Sequence, residues 1–191
     1  DGSFEGTLTA EMYQVQSSDE DTTRMISKKV VGGQVDGTKT SYIEQVKATL
    51  AFGDAPDGKI WGDGFTVKTY DKDFSVTLYD PETGTGAVPS TSRVLVSEAD
   101  QLQTTDESVT RMKTTKIING KYVDASATAG LQKKYSYTQQ TKQLGTETYG
   151  STTLATALGT GTGSWGDIFW VKTWDGSFEG TLTAEMYQVQ S

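Results

Sequence analysis

Four sets of side chains in this sequence could do chemistry. Asp54, Asp57 and Asp63, in the stretch DAPDGKIWGDG, offer the hard carboxylate oxygens that calcium takes six to eight at a time. Their spacing departs from a D-x-D-x-D-G loop, and aspartate among glycines also makes a solvated turn. The pairs Asp19-Glu20 and Asp106-Glu107 could work as general acid and base if two carboxyls faced each other across a cleft. Each pair instead stands beside an arginine, Arg24 or Arg111, which points to a local ion pair of ~0–1 kcal/mol. Trp165, Trp170, Trp174 and Tyr70, with Trp61, could make a flat sugar-binding platform, or pack as a second apolar face or an intermodule contact. Lys29 and Lys116 recur with Asp36 and Asp124, the residue types of a lysine–aspartate isopeptide crosslink.

Much other chemistry is excluded by composition. The 191 residues include no Cys and no His. No disulfide framework, thiolate nucleophile or Cys-ligated zinc can form. Ser-His-Asp and Cys-His catalysis fall away with the histidines. Catalysis is not expected and no cofactor is expected, with calcium the main option the carboxylates leave. With 17 basic and 25 acidic side chains the net charge is −8, which argues against a nucleic-acid partner. No apolar run approaches the ~20 residues of a membrane span. There is no initiator Met and no signal peptide, so a processed part of something longer is expected.

Repeats set the organisation. Residues 1–17, DGSFEGTLTAEMYQVQS, are identical to residues 175–191, so the unique sequence is 174 residues. The repeat holds three acids and no base, leaving −5 on those 174 residues. A fainter repeat lies inside. WGDGFTVKTYDKDFSVTL at 61–78 answers WGDIFWVKTWDGSFEGTL at 165–182, an offset of 104. Asp19-Glu20-x-x-Thr23-Arg24-Met25 answers Asp106-Glu107-x-x-Thr110-Arg111-Met112 at 87, and Lys39-x-Ser41-Tyr42 answers Lys134-x-Ser136-Tyr137 at 95. The period of 174 is thus expected to hold two diverged copies of one module of about 87 residues. A duplicated strand or an overlapped permutation would also repeat the ends; a fused strand should leave a foreign linker, and neither junction carries one.

The patterns inside each copy are those of strands. Arg24 to Val31 ends in Gly32-Gly33, and Arg111 to Ile118 in Asn119-Gly120, pairs that accept the positive φ of a two-residue hairpin. Long strands are expected from Thr40 to Phe52 and from Tyr135 to Leu144. Phe65-x-Val67-x-Thr69 and Phe169-x-Val171-x-Thr173 alternate with period two. Turns at Asp71–Asp73 and Asp175–Ser177 should lead into strands Phe74–Leu78 and Phe178–Thr183. Ser97 to Gln103 is the best helix candidate, capped by Ser97. Gly-, Thr- and Ser-rich connections run over 80–92 and 151–164. The fold class expected is all-β, two diverged antiparallel β-modules, each a small sandwich or barrel, in tandem from a repeat array. Residues 18–105 form the first module, 106–191 the second, and 1–17 are an overhang that repeats 175–191. One copy of the overhang sequence should lack a pairing partner in the isolated chain, and a free apolar edge invites self-association.

A 174-residue period of β-modules resembles the stalk arrays of giant bacterial surface adhesins. DGSFEGTLT, approached by VKTWD, resembles phage tail-tube proteins over some 20 residues, which implies a tube with an acidic lumen. The function expected is a structural, self-assembling β-repeat module of a long extracellular filament or surface-protein stalk. A virion or phage-tail-like tube subunit and a carbohydrate- or surface-binding adhesin domain are the alternatives. The partners expected are copies of the same chain, with a glycan or surface ligand for the adhesin reading, no nucleic acid and no membrane span. The location expected is extracellular or the cell surface, or the virion for the tube.

Overall fold

In the computed structural model, residues 10–82, 87–122, 133–160 and 166–189 are described. They are nearly all strand. In chain order the strands are β1 (Ala10–Gln16), β2 (Thr22–Val31), β3 (Gln34–Ala48), β4 (Trp61–Tyr70), β5 (Leu95–Thr104), β6 (Val109–Thr115), β7 (Ile117–Ile118), β8 (Lys121–Tyr122), β9 (Tyr135–Gln143), β10 (Thr148–Tyr149), β11 (Thr152–Thr153), β12 (Ile168–Asp175) and β13 (Thr181–Val189). A single-turn helix α1 (Leu154–Ala157) sits among them. Nine strands hydrogen-bond in the order β1-β2-β3-β4-β5-β6-β9-β12-β13, and β7–β8 and β10–β11 are separate small hairpins. Separate small sandwiches or barrels are therefore not what forms. The antiparallel strands belong to one nine-stranded sheet.

The hairpin chemistry is as the sequence requires. Gly32 and Gly33 hold φ of 59° and 80° between β2 and β3, and Asn119 and Gly120 hold 51° and 76° between β7 and β8. At Gly120 a second constraint operates, because a Cβ there would meet the Val94 side chain at 2.7 Å. Three expectations need correcting. Ser97 to Gln103 lies inside β5 and is not a helix. Phe74 and Phe178 do not open strands. Each sits in a turn, closed by the Val76 N–H on the Asp73 carbonyl and by the Gly180 N–H on the Ser177 carbonyl. The connection after Ser151 is not featureless, since Thr153 caps α1 by accepting the Thr156 N–H, and Leu154 is buried.

The chain divides into two compact units. One comprises 1–48, 65–100 and 115–134. Its core is Tyr70, Leu95 and Tyr122, with Tyr42, Phe74 and Ile117 packed against them. The Arg93 guanidinium lies over the Tyr70 and Phe74 rings at 4.5 and 5.1 Å, and the ring faces stand in for acceptors that its Nε and Nη1 lack. The other unit comprises 49–64, 101–114 and 135–191. Phe52, Leu102, Val109, Leu154, Ile168 and Trp174 are its buried apolar side chains. Among the described residues no helix is long and apolar enough to cross a membrane.

Candidate functional site

The candidate acids are placed separately. Asp54 precedes a 3-10 turn at Pro56–Gly58, Asp57 lies within that turn with φ of 56°, and Asp63 lies on β4. All three are exposed. Among the described residues no three acids are grouped to hold a metal ion. Asp19 accepts the Ser17 hydroxyl and the Asp21 N–H, closing the turn before β2. Asp106 does the same before β6, accepting the Thr104 and Ser108 hydroxyls, and adds the Lys59 ammonium at 2.7 Å. That ammonium, with the hydroxyls, holds the Asp106 carboxyl far below the usual carboxylate range. The neighbouring arginines do not pair with these acids. Arg24 reaches Glu44 across the β2–β3 ladder at 2.7 Å, and Arg111 reaches Glu179 at 3.1 Å.

The aromatic candidates do not share one exposed face. Tyr70 is 4 % exposed and Trp174 is 7 %, each in the core of its own unit. Trp170 is half-buried on the same face of β12 as Trp174, stacked on Tyr187 with ring centroids 6.0 Å apart. Trp165 lies outside the described residues. Lys29 and Asp36 do face each other across β2 and β3, but Lys29 is exposed, whereas isopeptide chemistry needs a buried acid and a desolvated amine. Asp124 lies outside the described residues.

What the sequence left hidden is a set of contacts that recurs at the repeat offsets. Arg24 lies over Phe74 at 4.6 Å, and Phe74 packs against Tyr42 and Tyr70. Arg111 lies over Phe178 at 4.9 Å, and Phe178 packs against Tyr137 and Trp174. The Arg24 Nε donates to Glu44, and the Arg111 Nε donates to Gln139, the matching position. The Lys47 N–H meets the Asp21 carbonyl, and the Lys142 N–H meets the Ser108 carbonyl. Burial separates the two arginines. Arg111 is 5 % exposed and also donates to the Phe52 and Asp54 carbonyls, so desolvation lowers its pKa.

The remaining candidate is the pair of sheet edges. Ala10 to Val15 of β1 and Ala184 to Val189 of β13 are the same residues, AEMYQV, at an offset of 174. They close the two ends of the strand order. Met12, Tyr13 and Val15 are exposed on β1, and Leu182 and Met186 on β13. Edge strands are normally blunted by proline or lysine, and these carry neither.

Hydrogen-bond parity separates the two copies. In an antiparallel ladder the N–H and C=O of one residue point to the same neighbour, and successive residues alternate sides. The Ser17 N–H donates to the Thr22 carbonyl, so the register of β1 with β2 turns Glu11, Tyr13 and Val15 toward β2 and Ala10, Met12 and Gln14 outward. The Lys142 N–H donates to the Ser108 carbonyl, away from β12. Through the registers of β9 with β12 and β12 with β13, this turns Ala184, Met186 and Gln188 toward β12 and Glu185, Tyr187 and Val189 outward. One sequence is thus bonded by one edge in β1 and by the opposite edge in β13.

The side chains follow suit. Glu11 accepts the Lys28 ammonium at 2.7 Å, while Glu185 accepts the Trp170 indole N–H at 2.7 Å. Lys28 also sits 5.0 Å above the Tyr13 ring, and Trp170 stacks on Tyr187. No known family, curated protein or solved structure matches the chain.

Proposed function

We propose that this chain is a structural, self-assembling β-module of a long extracellular filament or surface stalk, with two diverged copies of one β-module in each 174-residue period. The carrying observation is that the same strand sequence stands at both ends of the nine-strand order, exposed and bonded by opposite edges. A module whose last strand repeats its first has a head and a tail that match, and head-to-tail contacts build open filaments where the rotation between neighbours does not close a ring. The recurrence of the Arg24–Phe74–Tyr42 set as Arg111–Phe178–Tyr137 supports the internal duplication. Neighbour interfaces supply part of the stability in such arrays. The net charge of −5 on each 174-residue period keeps a large surface of repeated modules soluble.

Electron microscopy of the purified chain and of its native material tests this reading. Threads of regularly spaced modules are expected. Stacked closed rings would replace the stalk with a tube, as in the virion alternative. In the native gene, the stalk reading expects SDEDTTRM to follow Ser191.

A further inference from the structure

Taking that self-assembly as given, we infer that the joint between neighbouring chains is one shared strand, in which β13 of one chain occupies the β1 position on β2 of the next. Three observations converge on it. The two strands have the same sequence over AEMYQV, so β2 meets the same side chains whichever copy it pairs with. The outward groups of β13 belong to Glu185, Tyr187 and Val189, the residues matching Glu11, Tyr13 and Val15, which are the ones that face β2. A strand held by β12 through one edge therefore presents to β2 the edge that β2 already binds. The two side-chain patterns are compatible as well, since one glutamate carboxylate can accept both an ammonium and an indole N–H.

The fold supplies its own precedent in β5. At an offset of 87, Glu98 matches Glu11, Gln101 matches Gln14, Leu102 matches Val15 and Gln103 matches Gln16. β5 lies between β4 and β6, the strands that match β12 and β2. Glu98 is contacted from both sides, by Lys68 of β4 at 3.4 Å and by Thr115 of β6 at 3.3 Å. Thr66 donates to Asp100 where Trp170 stacks on Tyr187. The strand at this place in the module is doubly paired when it is internal. At the chain ends each copy shows one half of that pairing. In the exchange β1 of the receiving chain is released from β2, and β13 gains on its free edge the second partner it lacks, which restores the pattern of β5.

The chain has no native cysteine, so an engineered disulfide reports the joint cleanly. Met12 lies opposite Ser27 in a non-hydrogen-bonded pair, and Met186 is the same residue of the repeated strand. Such pairs bring Cα atoms to about 4.5 Å, within disulfide reach. Oxidation of the Ser27→Cys/Met186→Cys chain should give a reducible ladder of dimers, trimers and longer oligomers. Ser27→Cys/Leu182→Cys, four residues out of register, should give none. A ladder of equal strength from that variant would overturn the shared register, and monomer alone from the first would overturn the joint. The wild-type chain provides a check that needs no folded variant. The free peptide TLTAEMYQVQS in excess should compete for β2 and shorten the oligomers seen by sedimentation by about threefold, by mass action. No shortening, or equal shortening by a scrambled peptide, would overturn the joint. Threads in the microscope without the ladder would keep the stalk and remove the shared strand. A ladder without threads would keep the shared strand and remove the stalk.

Discussion

Tyr187 stacks on Trp170 with ring centroids 6.0 Å apart and planes 6° from parallel. The same tyrosine of the repeated strand, Tyr13, lies instead beneath the Lys28 ammonium. One strand sequence thus has two different sets of neighbours, and each set can be removed without touching the other.

Trp170→Ala removes the stacked ring and the donor to Glu185. It should weaken the β12–β13 pairing by about 1 kcal/mol beyond the lost apolar area. Amide exchange read residue by residue should quicken in β13 and stay unchanged in β1. Equal quickening in both strands would show that the ring does not act locally.

Arg111 and Arg24 hold matching positions with different burial, 5 % exposed against a side chain 50 % exposed. Arg111→Ala strands the Phe52 carbonyl and Gln139 and leaves a gap over Phe178. It should cost about 3 kcal/mol, as for a lost bond from a charged donor to buried acceptors. Arg24→Ala should cost about 1 kcal/mol or less, because water reaches Glu44's partner side. Arg111→Lys should recover little, since an ammonium cannot reproduce the fork that meets Gln139 and Phe52 together. Urea midpoints of the three variants decide this, and equal losses at the two arginines would contradict it.

Acid should destabilise the fold through aspartates held by hydroxyl and ammonium donors. Asp106 is lowered first by Lys59, Asp19 by Ser17, Asp36 by Thr38 and Asp73 by Ser75. A carboxylate with a lowered folded pKa binds protons less readily folded than unfolded. Its contribution is complete above the ordinary value of 3.8 and is lost as pH falls from there through the folded value. Thermal midpoints should therefore hold steady down to about pH 4 and drop below it. Asp106→Asn should flatten that drop. An unchanged acid slope would contradict the assignment to Asp106.

Turns and period-two strands were legible because their causes are local. Gly32-Gly33 and Asn119-Gly120 tolerate positive φ, and Phe65-x-Val67-x-Thr69 does lie in a strand, β4, although the buried residues of that strand, Gly64 and Tyr70, are on the opposite face. Ser97 to Gln103 misled because capping and helix-favouring residues fill it. Its strand state is decided by Lys68, Thr115 and Tyr122 closing on Glu98, none of them near in sequence. Alternation placed Trp170 and Trp174 on one face but could not say that Trp174 is buried and Trp170 is not. The repeated strand was visible as an identity. That its two copies bond through opposite edges depends on register, which only the pairing of β1 with β2 and of β12 with β13 reveals.

Residue-resolved amide exchange along β13 as concentration rises tests the shared strand most directly. In dilute chain the N–H groups of Ala184, Met186 and Gln188, which face β12, should exchange slowly, and those of Glu185, Tyr187 and Val189 quickly. On assembly the quick set should slow to match its neighbours, giving a strand protected at every residue. Continued fast exchange at Glu185, Tyr187 and Val189 in the assembled material would contradict the shared-strand joint.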